Sequence, residues 1–184
     1  NSQTHPHSQV FAYGEIPDLM VEPQLQMFDT YRKESGGICF VCDANKIEIQ
    51  DGRRIIFLND HFAAYVPFAA QFPYDVVVVP LAHVASLMDF NSDMRFSLAC
   101  ILKQVLGGLD ALFGMPYSYS MALIQTPTDG EDYGFHMQVH ISSLLRGPNL
   151  RKHVVGADIF GKIINPSDPN VIAEEIRYAM MKEK

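Results

Sequence analysis

The sequence predicts an α+β fold built on a mostly antiparallel sheet, with one long helix and a C-terminal helix. Three observations carry this. Short β-branched and aromatic runs recur along the chain, and one of them, Asp75-Val76-Val77-Val78-Val79, has no alternation at all. A single long amphipathic stretch interrupts them, where Phe96, Leu98, Ile101, Leu102, Val105, Leu106, Leu109 and Leu112 form a wide apolar stripe. A second helix-like segment, at about Asn170 to Lys182, follows the breaker Asn165-Pro166-Ser167-Asp168-Pro169.

Taken in order, Ser8 to Tyr13 reads as a strand, and Gly14 to Asp18 breaks it. Pro23 to Glu34 reads as a helix, with the proline tolerated in its first turn and Gly36-Gly37 ending it. Ile38-Cys39-Phe40-Val41-Cys42 is expected to be a knuckle. It follows a helix and two glycines, so it does not have the strand-then-helix setting of a redox Cys-x-x-Cys. Arg54 to Asn59, His61 to Pro67 and Tyr74 to Pro80 are strands. The unalternating valine run places the last of these at the sheet centre, buried on both faces. Asn91-Ser92-Asp93 offers N-cap chemistry for a helix running to Phe113, and Gly114 stops it. Gly107-Gly108 lies inside this helix and weakens it locally. Tyr117 to Gln125 and Phe135 to Ser143 are strands, joined by the polar loop Thr126 to Gly134. Arg151 to Phe160 is expected to be a further strand.

With 184 residues, 48% of them hydrophobic and 19% charged, the chain has the composition of one globular domain with a real core. Its formal net charge of −7 argues against a nucleic-acid partner, which calls for a basic face. No uninterrupted apolar run approaches the ~20 residues of a membrane helix, so no membrane partner is expected. Three cysteines, two of them close together, do not make a disulfide framework. Reduced cysteines point to a cytoplasmic location.

Two stretches carry chemistry. In His5-Pro6-His7-Ser8-Gln9 the proline keeps the backbone extended, so His5, His7 and Gln9 share one side. An imidazole there can attack phosphorus or bind a metal, and the amide can donate to a phosphoryl oxygen. The plainer alternative is a solvated terminal tail. Cys39-x-x-Cys42 can present two thiolates to one tetrahedral metal, which then needs two more N or S ligands. His5, His7, His61, His83, His136, His140 and His153 are all available, and spacing does not choose among them. The plainer alternative here is a pair of free thiols with ordinary polar histidines.

Five motifs in order resemble the galactose-1-phosphate uridylyltransferase family of the histidine-triad superfamily. They are His5-Pro6-His7-Ser8-Gln9, the run Val66 to Tyr74, Pro80-Leu81-Ala82-His83-Val84, Pro116 to Met121, and Leu144-Leu145-Arg146 through Arg151 to Gly156. That family is built from two similar halves. The resemblance implies that residues 22–184 form the C-terminal, histidine-triad-like domain, and that residues 1–21 are an active-site strand and linker carried over from a first half. It implies a nucleotidyltransferase acting on a nucleotide sugar and a sugar 1-phosphate, with His7 as nucleophile and ping-pong kinetics. Gln9 and Ser2 match residues that contact the phosphoryl group, Lys152 matches a phosphate ligand, and His5 matches a ligand of the first-half zinc site. Cys39, Cys42, His83 and His136 match the zinc tetrad of plant-type relatives that resemble ADP-glucose phosphorylases. Two thiolates and two imidazoles make a closed, structural zinc site. A homodimer is implied as well.

Departures from the pattern are specific. Two histidine positions of the bacterial iron site fall at about Ile124 and Ser142, leaving His140 and Glu22, so no iron site is expected. A sugar-binding tyrosine-glutamate pair aligns with Ala157-Asp158, and a later glutamine with Ile164. Two other readings stay open: a phosphorylase acting on a nucleotide sugar or dinucleotide, and an inactive zinc-stabilised binding domain.

Overall fold

The structure is a computed structural model, and it describes residues 14–16, 21–147, 150–151 and 164–182. Helices α1 (Val21–Glu34) and α2 (Phe40–Asp51) come first, followed by strands β1 (Ile55–Leu58), β2 (Phe62–Tyr65) and β3 (Val76–Pro80). After a 3-10 turn at Leu87–Asp89 comes the long helix α3 (Ser92–Phe113). Strands β4 (Ser120–Ile124) and β5 (Gln138–Ser142) complete a five-stranded sheet of order β1-β2-β3-β5-β4, antiparallel at every pairing. A small ribbon of β6 (Leu145–Gly147) and β7 (Leu150–Arg151) precedes the last helix, α4 (Pro169–Lys182). The expected strand at Ser8 to Tyr13, and the expected strand beyond Arg151, lie outside the described residues.

The valine run explains the layering. Val76 and Val78 face a cluster built with Ile101, Val105 and Leu109 of α3 and Ile172 and Ile176 of α4. Val77 and Val79 face a second cluster with Leu25 and Phe28 of α1 and Val41 of α2. Helices thus cover both faces, so every position of β3 is buried and alternation has no work to do. Full burial of each valine is worth about 1.5–3 kcal/mol.

α3 runs unbroken through Gly107-Gly108. Asn91 caps it by accepting from Met94 N, and Gly114 leaves it in the left-handed region at φ 63°. Gly108 serves packing, because a Cβ there would collide with Cγ of Met180 on α4. At 22 residues, α3 also has the length and composition of a membrane span, although Arg95, Lys103 and Asp110 interrupt its apolar run. Ile101, Val105 and Leu109 on it are completely buried against the sheet and α4.

The two sheet edges differ. Arg177 of α4 donates to the carbonyls of Arg53 and Ile55, at 2.8 and 2.6 Å, beside β1. On β4, Ser120, Met121, Ala122 and Leu123 are all exposed, on both faces of the strand. Among the described residues β5 is its sole strand neighbour.

Candidate metal centre

The cysteine pair does not form a knuckle followed by loop. Gly36 and Gly37, at φ 72° and 102°, end α1, and Cys39 becomes the N-cap residue of α2 with extended backbone (φ −74°, ψ 126°). Its thiol caps no backbone amide and is left free for another partner. Cys42 follows in the first turn, three residues on, so both sulfurs project from the same helix end. The pair therefore does open a helix, contrary to the sequence expectation, but what precedes it is α1 rather than a strand.

The imidazoles arrive from the sheet. β3 ends at Pro80, and Leu81 N donates to His61 O as the chain turns outward to the exposed His83. Met137 N donates to Val84 O, which lays the approach to β5 beside this turn and brings the fully buried His136 under it. The two rings meet edge to face at 5.1 Å.

Both histidines present Nδ1 to the sulfurs. Cys39 Sγ lies 3.8 Å from His136 Nδ1, and Cys42 Sγ lies 3.4 Å from His136 Nδ1 and 3.6 Å from His83 Nδ1. All four donor atoms fall within 4.8 Å of one another. Bonds of ~2.3 Å to sulfur and ~2.05 Å to nitrogen at tetrahedral angles put S and N about 3.6 Å apart. The observed separations bracket that value, so this Cys2His2 set fits a tetrahedral metal ion. Spacing had left seven histidines open; among the described ones, His61, His83, His136 and His140, the fold brings His83 and His136 to the cysteines.

Electrostatics suit the same role. Burial, and then the neighbouring His83, hold His136 down to about 4, so its ring is neutral at pH 7. In the metal-free site burial and the adjacent Cys39 push the Cys42 thiol up to about 11, so a metal must displace a proton there.

Sequence reasoning missed the layer behind the ligands. His136 Nε2 donates to the Pro80 carbonyl at 3.0 Å, Asn45 Nδ2 donates to the same oxygen at 3.1 Å, and Tyr65 OH donates to Asn45 Oδ1 at 3.1 Å. The available signal was only an asparagine three residues after Cys42, one helical turn from it.

Further along the sheet, His140 donates to Gln138 Oε1 at 3.1 Å, and burial holds its ring down to about 4. Ile124, at a position the resemblance gives to a metal-binding histidine, is buried in the α1–α2 layer. At the far end of the sheet a cavity of about 560 Å³ is lined by Ser118, Tyr119, Ser120, Ser142, Ser143 and Arg151, among others. Ser2, His5, His7, Gln9 and Lys152 lie outside the described residues.

A solved uridylyltransferase superposes with a TM-score of 0.88 and 28% identity over 98% of this chain and 56% of that one. An Arabidopsis thaliana ADP-glucose phosphorylase shares the fold at TM-score 0.70 and 22% identity, over 85% of this chain and 48% of its own. A zinc-bound histidine triad protein of Mycobacterium smegmatis shares it at TM-score 0.54 and 14% identity, over 79% and 94%. The fold is thus histidine-triad-like, as expected. The Saccharomyces cerevisiae galactose-1-phosphate uridylyltransferase is 32% identical over 181 residues, which are 96% of this chain and 49% of the yeast protein. The chain spans about half the length of the curated relatives it matches. Residues 24–184 match the family model for the C-terminal domain of galactose-1-phosphate uridyl transferase, and the chain belongs to that family.

Proposed function

We propose that the protein carrying this chain transfers a nucleotidyl group between a nucleotide sugar and a sugar 1-phosphate. The similarity to the yeast uridylyltransferase across 96% of the chain is the observation that carries this reading. His7 is the nucleophile. Its imidazole nitrogen bonds to the α-phosphorus of the donor as the bond from that phosphorus to the bridging oxygen breaks, releasing the sugar 1-phosphate. A phosphate oxygen of the acceptor then attacks the same phosphorus and displaces His7, which regenerates the ring. Gln9 and Ser2 hydrogen-bond the phosphoryl oxygens, where charge shifts in the transition state. Lys152 binds phosphate. Its neighbour Arg151 lines the hydroxyl-rich cavity at the end of β4 and β5, which supports an anionic ligand on that side.

The resident metal is zinc, held by Cys39, Cys42, His83 and His136, where a closed set of ligands gives it a structural task. His5 serves a separate zinc site completed from outside this chain. Residues 1–21 are the active-site strand and linker, and residues 22–184 the C-terminal domain. The protein works as a homodimer in the cytoplasm, whose reducing conditions keep Cys39 and Cys42 available as metal ligands.

An α-labelled UDP-sugar should leave its label on His7 of the full-length protein, and His7→Gly should abolish both labelling and turnover. Unchanged turnover in that variant would refute the mechanism. A second reading rests on the resemblance, which matches the Cys2His2 set of this chain to phosphorylase-like relatives. Inorganic phosphate would then be the acceptor, and an acceptor panel with UDP- and ADP-sugars separates the two.

A further inference from the structure

We infer that Asn45 is the positioning residue of the Cys2His2 site, tying the helix that carries both thiols to the end of β3, which leads into His83 and whose last carbonyl holds His136. This rests on the metal reading proposed above. α2 brings Cys39 and Cys42, and Asn45 stands one turn further along the same helix, 4% exposed. Its amide reaches across to the carbonyl of Pro80, the last residue of β3. That single oxygen is the reference point for both histidines. His136 donates to it directly, and His83 follows it in the chain by three residues.

The direction of each bond is determined. Tyr65 donates its phenolic proton to Asn45 Oδ1, and burial raises the Tyr65 pKa, so the proton stays. With its oxygen occupied there, the Asn45 amide must turn its NH2 toward Pro80; a flipped amide would set oxygen against oxygen. The Pro80 carbonyl in turn accepts from His136 Nε2–H. That bond selects the tautomer whose lone pair sits on Nδ1, the atom that faces the sulfurs. Tyr65, Asn45 and His136 are all buried, so water does not stand in for a lost member of the chain. A buried asparagine that served packing alone would have no bearing on metal geometry.

The test uses the intact protein, stripped of metal and titrated with Zn²⁺ and with Co²⁺ as a spectroscopic probe, in wild type, Asn45→Asp, Asn45→Ala and Tyr65→Phe. Asn45→Asp keeps an acceptor for Tyr65 and loses the donor to Pro80. Both Asn45 variants should bind metal about 10–100-fold more weakly, as expected when a partner behind a ligand is lost. Their Co²⁺ ligand-field bands should move away from those of wild type. Tyr65→Phe should show the same spectral change with a smaller loss of affinity. Chemical denaturation of the metal-free forms separates any general loss of stability, and if the Asn45 variants do not fold, the Tyr65→Phe spectrum decides. Wild-type protein that binds neither metal overturns the metal reading itself. Wild-type binding with an unchanged Co²⁺ spectrum in the folded variants overturns the role of Asn45 alone.

Discussion

Cys42 Sγ and His136 Nδ1 lie 3.4 Å apart, although ninety-four residues separate them in the chain. No local motif produces such a meeting. It requires α2 to dock on one face of the sheet and the approach to β5 to pass beneath the end of β3. A metal ion held there joins three separate segments, so its removal acts on tertiary structure rather than on one loop.

Protein purified without chelator should hold one zinc in the Cys2His2 site per chain, by elemental analysis. Free zinc at a thousand times Kd stabilises the folded state by about 4 kcal/mol, so a strong chelator should lower the melting temperature by several degrees. Cys42→Ser should abolish this chelator response. A melting temperature indifferent to chelator, in protein that does contain zinc, would show the ion to be bound elsewhere.

Zinc loading should release protons. With the Cys42 thiol pushed up to about 11 in the metal-free site, affinity should rise steadily as pH increases through neutrality. Competition titrations at several pH values measure the slope. A flat profile would mean that the thiol is not a ligand.

His140 should make stability depend on pH. Its ring sits near 4 when folded, below the ordinary 6.5, because burial disfavours the charged form. Between these values the unfolded chain binds the extra proton. The contribution is therefore complete above 6.5, falls as pH drops toward 4, and is lost below that. Urea midpoints of His140→Gln should fall less than those of wild type across this window.

Gly108→Val should destabilise the protein by about 1–3 kcal/mol through overpacking, since its side chain meets Met180. Met180→Ala in the same chain should return part of that loss, and denaturant melts of the double-mutant cycle give the coupling. Additive effects would mean that α3 and α4 do not press together at this point.

Arg54 and Glu48 form an ion pair at 2.9 Å with each side chain about 10% exposed. Removing Glu48 leaves the buried Arg54 charge only the longer contact to Asp51 at 3.7 Å and a bond to Asn170, so Glu48→Leu should cost up to about 3 kcal/mol, the low end for a broken buried pair. The double variant Glu48→Leu, Arg54→Met should recover much of that in equilibrium unfolding.

Much of the fold was legible. The valine run marked β3 as central, and the capping residues marked both ends of α3. α2 was not legible, for a definite reason. Its buried face is Val41, Asn45 and Glu48, while Ile47 and Ile49 point to solvent, so its hydrophobic pattern is close to inverted. The polar residues are buried because each has a specific partner: Tyr65 and Pro80 for Asn45, Arg54 for Glu48. Asn45's partners lie 20 and 35 residues away in sequence, and Arg54 lies just past the turn that follows α2. The cysteine pair was legible from its spacing and the two histidines only through the resemblance, since the distance from Cys42 to His136 is a property of the assembled sheet.

The contrast between the two edges of that sheet bears on how the chain behaves in a tube. Arg177 blunts the β1 side by occupying carbonyls there, whereas among the described residues no strand pairs with the outer side of β4, which carries exposed Met121 and Leu123 and no charge or proline. An edge of this kind is a template for strand addition. A strand added to the sheet, from this chain or from another, would find its place along those five residues, at the end of the sheet order opposite β1. A lysine in place of the exposed Met121 would set a charge against such pairing.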